Sequence, residues 1–298
     1  MRIALVADSH LSERAPECLS NWELAGAVVR RLGAELTIHL GDISLDGQSH
    51  PEELRFAAEA VRRWPTPMLC VPGNHDMGDG CGEVPLDRER LARCRQAFGA
   101  DRWAVRADRW ELIGLNAQLL GTGTPEEEQQ WQWLAAHLEQ SIEPRHRVLL
   151  LHRPLVRPND AERARRGRYV LGAASRRLLH SPAYGRLRES LRIVVSGHTH
   201  QHLDRCEADV RHVWMPSTAF VLPDTMQARV GEKIVGLGLL DIAGGSARID
   251  VLVPDGMTRH QLTDLPVFDE LAREATHVPA GAPQGSTITC STRVSERS

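Results

Sequence analysis

The chain has 298 residues, 42% of them hydrophobic, with 36 Lys and Arg against 39 Asp and Glu and a formal charge of −3. Such a length and apolar content can fill the core of one large α/β domain or two small ones, while the near-neutral balance argues against a general DNA-coating role, which needs many cations facing phosphates. The apolar run before Asp8 in MRIALVADSH is far too short for a membrane span and no small-residue cleavage pattern follows, so a soluble protein without a signal peptide or membrane partner is expected.

Short apolar, β-branched-rich runs alternate with stretches of helical period, which predicts an α/β chain with a sheet at its centre. Strands are predicted over residues 2–7, 36–40, 68–71, 110–115, 147–151, 193–195 and 210–215. A helix is predicted to open at Pro51-Glu52-Glu53 and end near Trp64, with proline at the first position and acids where the helix dipole favours them. A second opens on Thr124 as N-cap with Glu127 at the third position; Trp131, Leu134, Ala135 and Leu138 then recur at helical spacing, as core side chains. Residues 233–242 and 247–253 flank Ala243-Gly244-Gly245-Ser246, a hairpin signature that adds antiparallel strands. From residue 275 onward Pro, Gly, Ser and Thr dominate, which predicts one domain over residues 1–274 and a loosely ordered tail over 275–298.

The six cysteines (18, 70, 81, 94, 206, 290) show neither CxxC spacing nor a disulfide framework. They fit a reducing cytoplasm and no zinc-thiolate site. A local basic stretch from Arg153 to Arg192 contains only three acids, Asp160, Glu162 and Glu189. It reads either as a solvated helical face or as a rim that attracts anionic substrates.

What ends each predicted strand is more informative. Ala7 is followed by Asp8-Ser9-His10, Leu40 by Gly41-Asp42, Val71 by Pro72-Gly73-Asn74-His75-Asp76, Leu151 by His152, and Val195 by Ser196-Gly197-His198-Thr199-His200. In an open α/β sheet the carboxyl ends of strands line one crevice, so groups scattered over the chain can converge there. Asp8 and His10 are two apart, as are His198 and His200, and extended chain sends residues i and i+2 to the same side. Gly41, Gly73 and Gly197 precede the polar groups, where a missing Cβ permits a sharp turn. Singly, each residue has a bland explanation: Asp42 as a turn, Asn74 as a turn former, His10 or His152 as core-edge histidines. Together, imidazoles and carboxylates without thiolates suit zinc, manganese, iron and similar metals.

The ordered series D-x-H, G-D, G-N-H-D, a lone H after a strand and G-H-x-H resembles the calcineurin-like metallophosphoesterase family, with the match spanning about residues 1–220. The resemblance implies a four-layer αββα sandwich with a mixed sheet core and two metals at the strands' C-terminal edge. It implies that Asp8, His10, Asp42 and His200 hold one metal, and that Asp42, Asn74, His152 and His198 hold the other, with Asp42 bridging. Such a pair of cations neutralises a phosphate ester and generates hydroxide from water at neutral pH. His75 would contact a phosphoryl oxygen or protonate the departing alkoxide, with Asp76 fixing its tautomer; capping of the following turn is the alternative for Asp76. Many relatives resembling cyclic-nucleotide phosphodiesterases carry a second His and paired prolines where this chain has Arg153-Pro154, so Arg153 is either a phosphate contact or a salt bridge. Asn74, His75, Arg153 and Asn116 are therefore candidate substrate-binding residues.

The expected function is hydrolysis of a small phosphoester, a phosphodiester of nucleotide or glycerophosphodiester type, with a metal-bridging hydroxide as nucleophile. A phosphomonoesterase or pyrophosphatase with the same metal centre is the alternative. An inactive protein-binding scaffold would lack ligands or His75, and an exonuclease would need a basic, aromatic-rich strip that is not evident. Manganese, iron and zinc all suit the expected ligand set, and a homodimer is compatible with the sequence.

Overall fold

The structure is a computed structural model and describes residues 1–79, 86–141, 146–155, 184–207 and 209–269. The tail expected from residue 275, and residues 156–183 of the arginine-rich stretch, lie outside the described residues.

Thirteen strands among the described residues form two large sheets and one small one. The first sheet contains β1 (Arg2–Val6), β2 (Leu36–His39), β3 (Met68–Cys70), β11 (Leu237–Ala243) and β12 (Ser246–Leu252), in the order β12-β11-β1-β2-β3. Its β1, β2 and β3 are parallel, and the β11–β12 hairpin closes against β1 antiparallel. The second sheet contains β4 (Trp103–Ala107), β5 (Trp110–Gly114), β6 (His146–Leu151), β7 (Leu191–Ser196), β8 (Leu203–Glu207) and β9 (Val210–Trp214), in the order β4-β5-β6-β7-β9-β8. Here β5, β6, β7 and β9 are parallel, with β4 and β8 as antiparallel edges. A short pair joins β10 (Phe220–Val221) to β13 (His260–Gln261).

The four layers follow from the alternation of side chains along the strands. Ile3 and Leu5 of β1 face Val148 and Leu150 of β6, Ile193 and Val195 of β7, and Val213 of β9, forming the core between the sheets. Their neighbours Ala4 and Val6 turn outward, against Trp22, Ala25 and Val29 of α1 (Pro16–Leu32) and Ala57 of α2 (Pro51–Arg62). On the far side, Leu149, Leu151 and Val194 meet Trp131, Leu134 and Leu138 of α5 (Pro125–Gln140). The central strands of both sheets are thus buried on both faces, giving the expected αββα sandwich. Full burial of each large apolar side chain contributes about 1.5–3 kcal/mol before entropy is counted.

The structure departs from the sequence-based expectations at several places. Helix α1 and α4 (Arg88–Phe98), and the edge strands β4 and β8, are additional to the predicted elements. Helix α1 opens on Pro16 without a side-chain cap, and its buried face includes Asn21 and Gly26, which breaks the apolar stripe. The strand expected from residue 233 begins at Leu237. The lysine at that position ties two loops together instead, since buried Lys233 Nζ donates to the carbonyls of Leu222 and Gln227, 2.7 Å each. Thr124 does cap α5, accepting from the Glu127 amide, but the Glu127 carboxylate accepts from the amides of Gly121 and Gly123 rather than from that of Thr124. Among the described residues no helix is long and apolar enough to cross a membrane.

Candidate metal centre

Parallel strands from both sheets end at the same edge. From the first sheet β1 leads to Asp8 and His10, β2 to Asp42, and β3 to Asn74, the first residue of the short helix α3 (Asn74–Met77). From the second, β6 leads to His152 and β7 to His198 and His200.

The paired candidate ligands converge, but not as neighbours on extended chain. Asp8 (φ 51°), His10 (44°), Asp42 (52°), His198 (70°) and His200 (51°) all lie in the left-handed region, beyond the strand ends. Such conformations cost about 1–3 kcal/mol each and persist only where the surroundings over-determine them. Here a rung of backbone bonds continues past β1 and β2: Asp8 N to Gly41 O (3.0 Å), His10 N to Asp42 O (3.1 Å) and Leu11 N to Ile43 O (2.7 Å). Buried His39 clamps the same two loops. Its Nδ1 accepts from the Gly41 amide at 3.2 Å, so Nε2 carries the proton and donates to Ser9 Oγ at 2.8 Å. Burial pushes the His39 pKa down to about 3, so the ring stays neutral.

Two glycines admit this close approach. A Cβ on Gly73 would stand 2.0 Å from Asp42 Oδ1, and one on Gly41, whose φ is +93°, would stand 2.7 Å from His152 Nδ1.

Two candidate ligand groups result, Asp8 with His10 and His200, and Asp42 with His152 and His198; within each, one potential ligand atom per residue lies within 4.8 Å of the others. In the first, His10 Nε2 and His200 Nε2 are 3.1 Å apart and Asp8 Oδ1 is 3.6 Å from His200 Nε2. In the second, His152 Nε2 is 3.2 Å from Asp42 Oδ2, 3.1 Å from His198 Nδ1 and 3.2 Å from Asn74 Oδ1. Asp42 Oδ2 also lies 4.0 Å from His10 Nε2, so this carboxylate stands between the groups.

The donor set fits two cations. His152 Nδ1 and His200 Nδ1 each face a carbonyl, Leu40 O and Phe220 O, at 2.8 Å. Carbonyls only accept, so both Nδ1 atoms carry protons, and both Nε2 atoms, turned towards carboxylates and other imidazoles, are the positions left for a metal. Phe220 also packs its ring against His10 and His200, with centroids 4.8 Å away in each case.

Electrostatics at the centre reflect burial and mutual charge. Burial, then the neighbouring histidines, pushes His10 well down, and burial brings His200 to about 4. Burial, then His152 and Arg153, also lowers His198. His152 goes the other way: burial opposes its charge, yet Asp42 and Asp8 raise it to about 9. Asp42 is held low against burial by His152 and His75, whereas burial raises Asp8.

The remaining candidates part company. His75 stands beside the first group, its ring 4.8 Å from that of His10 and its amide donating to Asp42 Oδ1 at 2.8 Å. Its Nδ1 donates to Leu45 O at 2.7 Å, so that carbonyl, and not Asp76, fixes the tautomer. Asp76 is turned away: it accepts from the amides of Ile43, Ser44 and Gly73 and from Ser44 Oγ. Asn116 is fully buried, donating to Asp101 at 3.0 Å and capping a short 3₁₀ turn through Gln118 N, so it does not line a pocket. Arg153 is salt-bridged to Asp79. Sequence reasoning missed His39, Phe220 and Leu45. Of these only His39 left a trace, a histidine at the end of a strand whose every residue is buried.

A mixed two-sheet sandwich with carboxylate and imidazole groups from both sheets sharing one aspartate defines the dimetal phosphoesterase class. A family model described as calcineurin-like phosphoesterase matches residues 1–202, and the chain belongs to that family. It is 24% identical over 238 residues to a "Probable cyclic nucleotide phosphodiesterase" of Psychrobacter arcticus, covering 74% of this chain and 81% of the relative. Among solved structures, a dimetal phosphatase from Danio rerio superposes with a TM-score of 0.60 at 16% identity, covering 84% of this chain and 95% of that one. A purple acid phosphatase from yellow lupin seeds (Lupinus luteus) gives 0.64 at 14% identity, covering 87% and 52%. These two likenesses show the shared fold.

Proposed function

We propose that the protein is a metal-dependent phosphodiesterase acting on a small phosphodiester of nucleotide or glycerophosphodiester type. The observation that carries the reading is the position of Asp42 Oδ2, 3.2 Å from His152 and 4.0 Å from His10, between two ligand groups. The preference for a diester draws on the bacterial relative's description.

Asp8, His10, Asp42 and His200 would hold one cation, and Asp42, Asn74, His152 and His198 the other. Manganese, iron and zinc all suit this set. When bound, two such cations neutralise the phosphoryl oxygens and make water nucleophilic near neutral pH. The chain supplies the rest. His75, with Nδ1 committed to Leu45 O, uses Nε2 to hand a proton to the departing alkoxide. The Asp42 contact to the His75 amide keeps that imidazole in register with the ligand groups. Asn74 presents its side-chain oxygen to His152, and the first turn of α3 thereby carries ligand and acid on adjacent residues.

Hydrolysis assays with metal-reconstituted protein test this directly. Bis(p-nitrophenyl) phosphate should be turned over faster than p-nitrophenyl phosphate, and a panel of nucleotide and glycerol diesters should then reveal the substrate. Faster monoester turnover would favour a phosphomonoesterase, and no hydrolysis with any of the three metals would remove the hydrolase reading.

A further inference from the structure

Beside the ligand groups lies a charged pair that holds none of the predicted ligand positions. Arg153 directly follows His152, and Asp79 directly follows Gly78, the residue that closes the helix carrying His75. Arg153 Nη2 donates to Asp79 Oδ2. The two side chains are only 9% and 12% exposed. Arg153 Nε is buried with no partner, so one donor of the guanidinium is left over.

A guanidinium stays protonated at any working pH. It sits directly after His152, whose Nε2 is 3.1 Å from His198 Nδ1, so its charge stands against the second ligand group. Paired with Asp79, however, it adds no net charge to the rim on the His152 side. A phosphodiester brings one negative charge, while a phosphomonoester above pH 7 brings nearly two. The difference between the two substrates is therefore the charge that the Asp79 carboxylate cancels.

Resting on the phosphoesterase reading above, we propose that Asp79 is a specificity-determining residue: by neutralising Arg153 it matches the site to a singly charged diester and withholds the positive charge that a doubly charged monoester would engage. The pair thereby selects by charge count. It requires no contact with the alcohol portion of the substrate, so it operates on diesters of differing shape.

The test uses the full chain loaded with Mn²⁺ at pH 8. The readout is the ratio of kcat/KM for p-nitrophenyl phosphate to that for bis(p-nitrophenyl) phosphate. Asp79→Asn should raise this ratio about tenfold, because it frees one unit charge at short range in a partly wet site. Arg153→Met should lower it by a similar factor, since an unopposed carboxylate repels the dianion more, and the double variant should return to the wild-type ratio. The two singles move in opposite directions, so a failure of one to fold leaves the other decisive. A ratio unmoved in an active variant overturns the proposal, as does a shift in Asp79→Asn that survives removal of Arg153. Titration calorimetry with inorganic phosphate and with dimethyl phosphate gives an independent arm. Asp79→Asn should bind phosphate about tenfold tighter and dimethyl phosphate nearly unchanged. Should the wild type hydrolyse neither ester, the hydrolase reading falls and the calorimetric arm alone decides: tightening supports the role of Asp79, and equal phosphate affinity overturns it.

Discussion

Asp76 Oδ1 accepts from both the amide and the hydroxyl of Ser44, at 2.9 and 2.8 Å. The same carboxylate takes the amides of Ile43 and Gly73, so one buried side chain ties the loop after Asp42 to the turn that presents Asn74 and His75. Removing it strands several buried donors, each costing about 1–3 kcal/mol. Asp76→Ala should destabilise the protein by about 2–4 kcal/mol, read by denaturant unfolding. A variant as stable as the wild type would mean that the loop is held by other contacts.

Asp42 and His75 should separate metal retention from proton transfer. Asp42→Asn should remove metal and turnover together. His75→Ala should keep the metal and slow turnover about 10²- to 10⁴-fold, the usual range for a general acid. Elemental analysis beside the hydrolysis assay checks both, and loss of metal from His75→Ala would contradict the assignment.

Between proton and cation there is competition at His152 Nε2. With its pKa raised to about 9, the metal-free protein carries a proton there at about pH 7.5, and a cation must displace it. Mn²⁺ binding should release protons in weakly buffered solution, and affinity should rise with pH up to about 9. Absence of proton release would show that His152 is neutral before metal arrives.

For the metal-free protein the same values set a stability optimum. His152, raised above its ordinary 6.5, contributes stability that is fully present below pH 6.5 and is lost as pH rises through about 9. His39 and His200, depressed to about 3 and about 4, contribute stability present above pH 6.5 and lost as pH falls towards those values. The Tm of chelator-treated protein should therefore peak near pH 6.5 and fall on both sides. His39→Gln should flatten the acid limb. A Tm that keeps rising down to about pH 4 would refute the neutral, buried state of these rings.

Gly73 should tolerate no side chain. A Cβ there would meet Asp42 Oδ1 at 2.0 Å, so Gly73→Ala must push the shared carboxylate aside. We expect far-ultraviolet circular dichroism like the wild type and metal binding weakened by at least about tenfold; such a loss corresponds to about 1.4 kcal/mol. Unaltered affinity would mean that Asp42 can shift without consequence.

The linear chain declared its class through order and type. Apolar runs of strand length marked most strands of the two large sheets to within two residues at each end, β1, β2, β3, β5, β6, β7, β9 and β12 among them, because period and β-branched content act locally. Asp8, His10, Asp42, Asn74, His152, His198 and His200 were legible because each ends such a run and the series resembles a known motif set. Edge strands β4 and β8 and helix α1 were not, since their sequences carry weaker periodic signals and their stability comes from what they pack against. Nor could spacing reveal how the ligands turn inward. The i, i+2 rule of extended chain suggested convergence, but the structure reaches it through left-handed residues held by His39, Ser9 and the backbone rung between the first two loops. The partners of the charged groups were likewise decided by tertiary structure: Leu45, not Asp76, holds His75, and Asp79, distant in sequence, meets Arg153. Hydrogen-bond partners and burial depend on which loops the folded sheets bring side by side, and that three-dimensional adjacency is a property of the whole chain that no local pattern encodes.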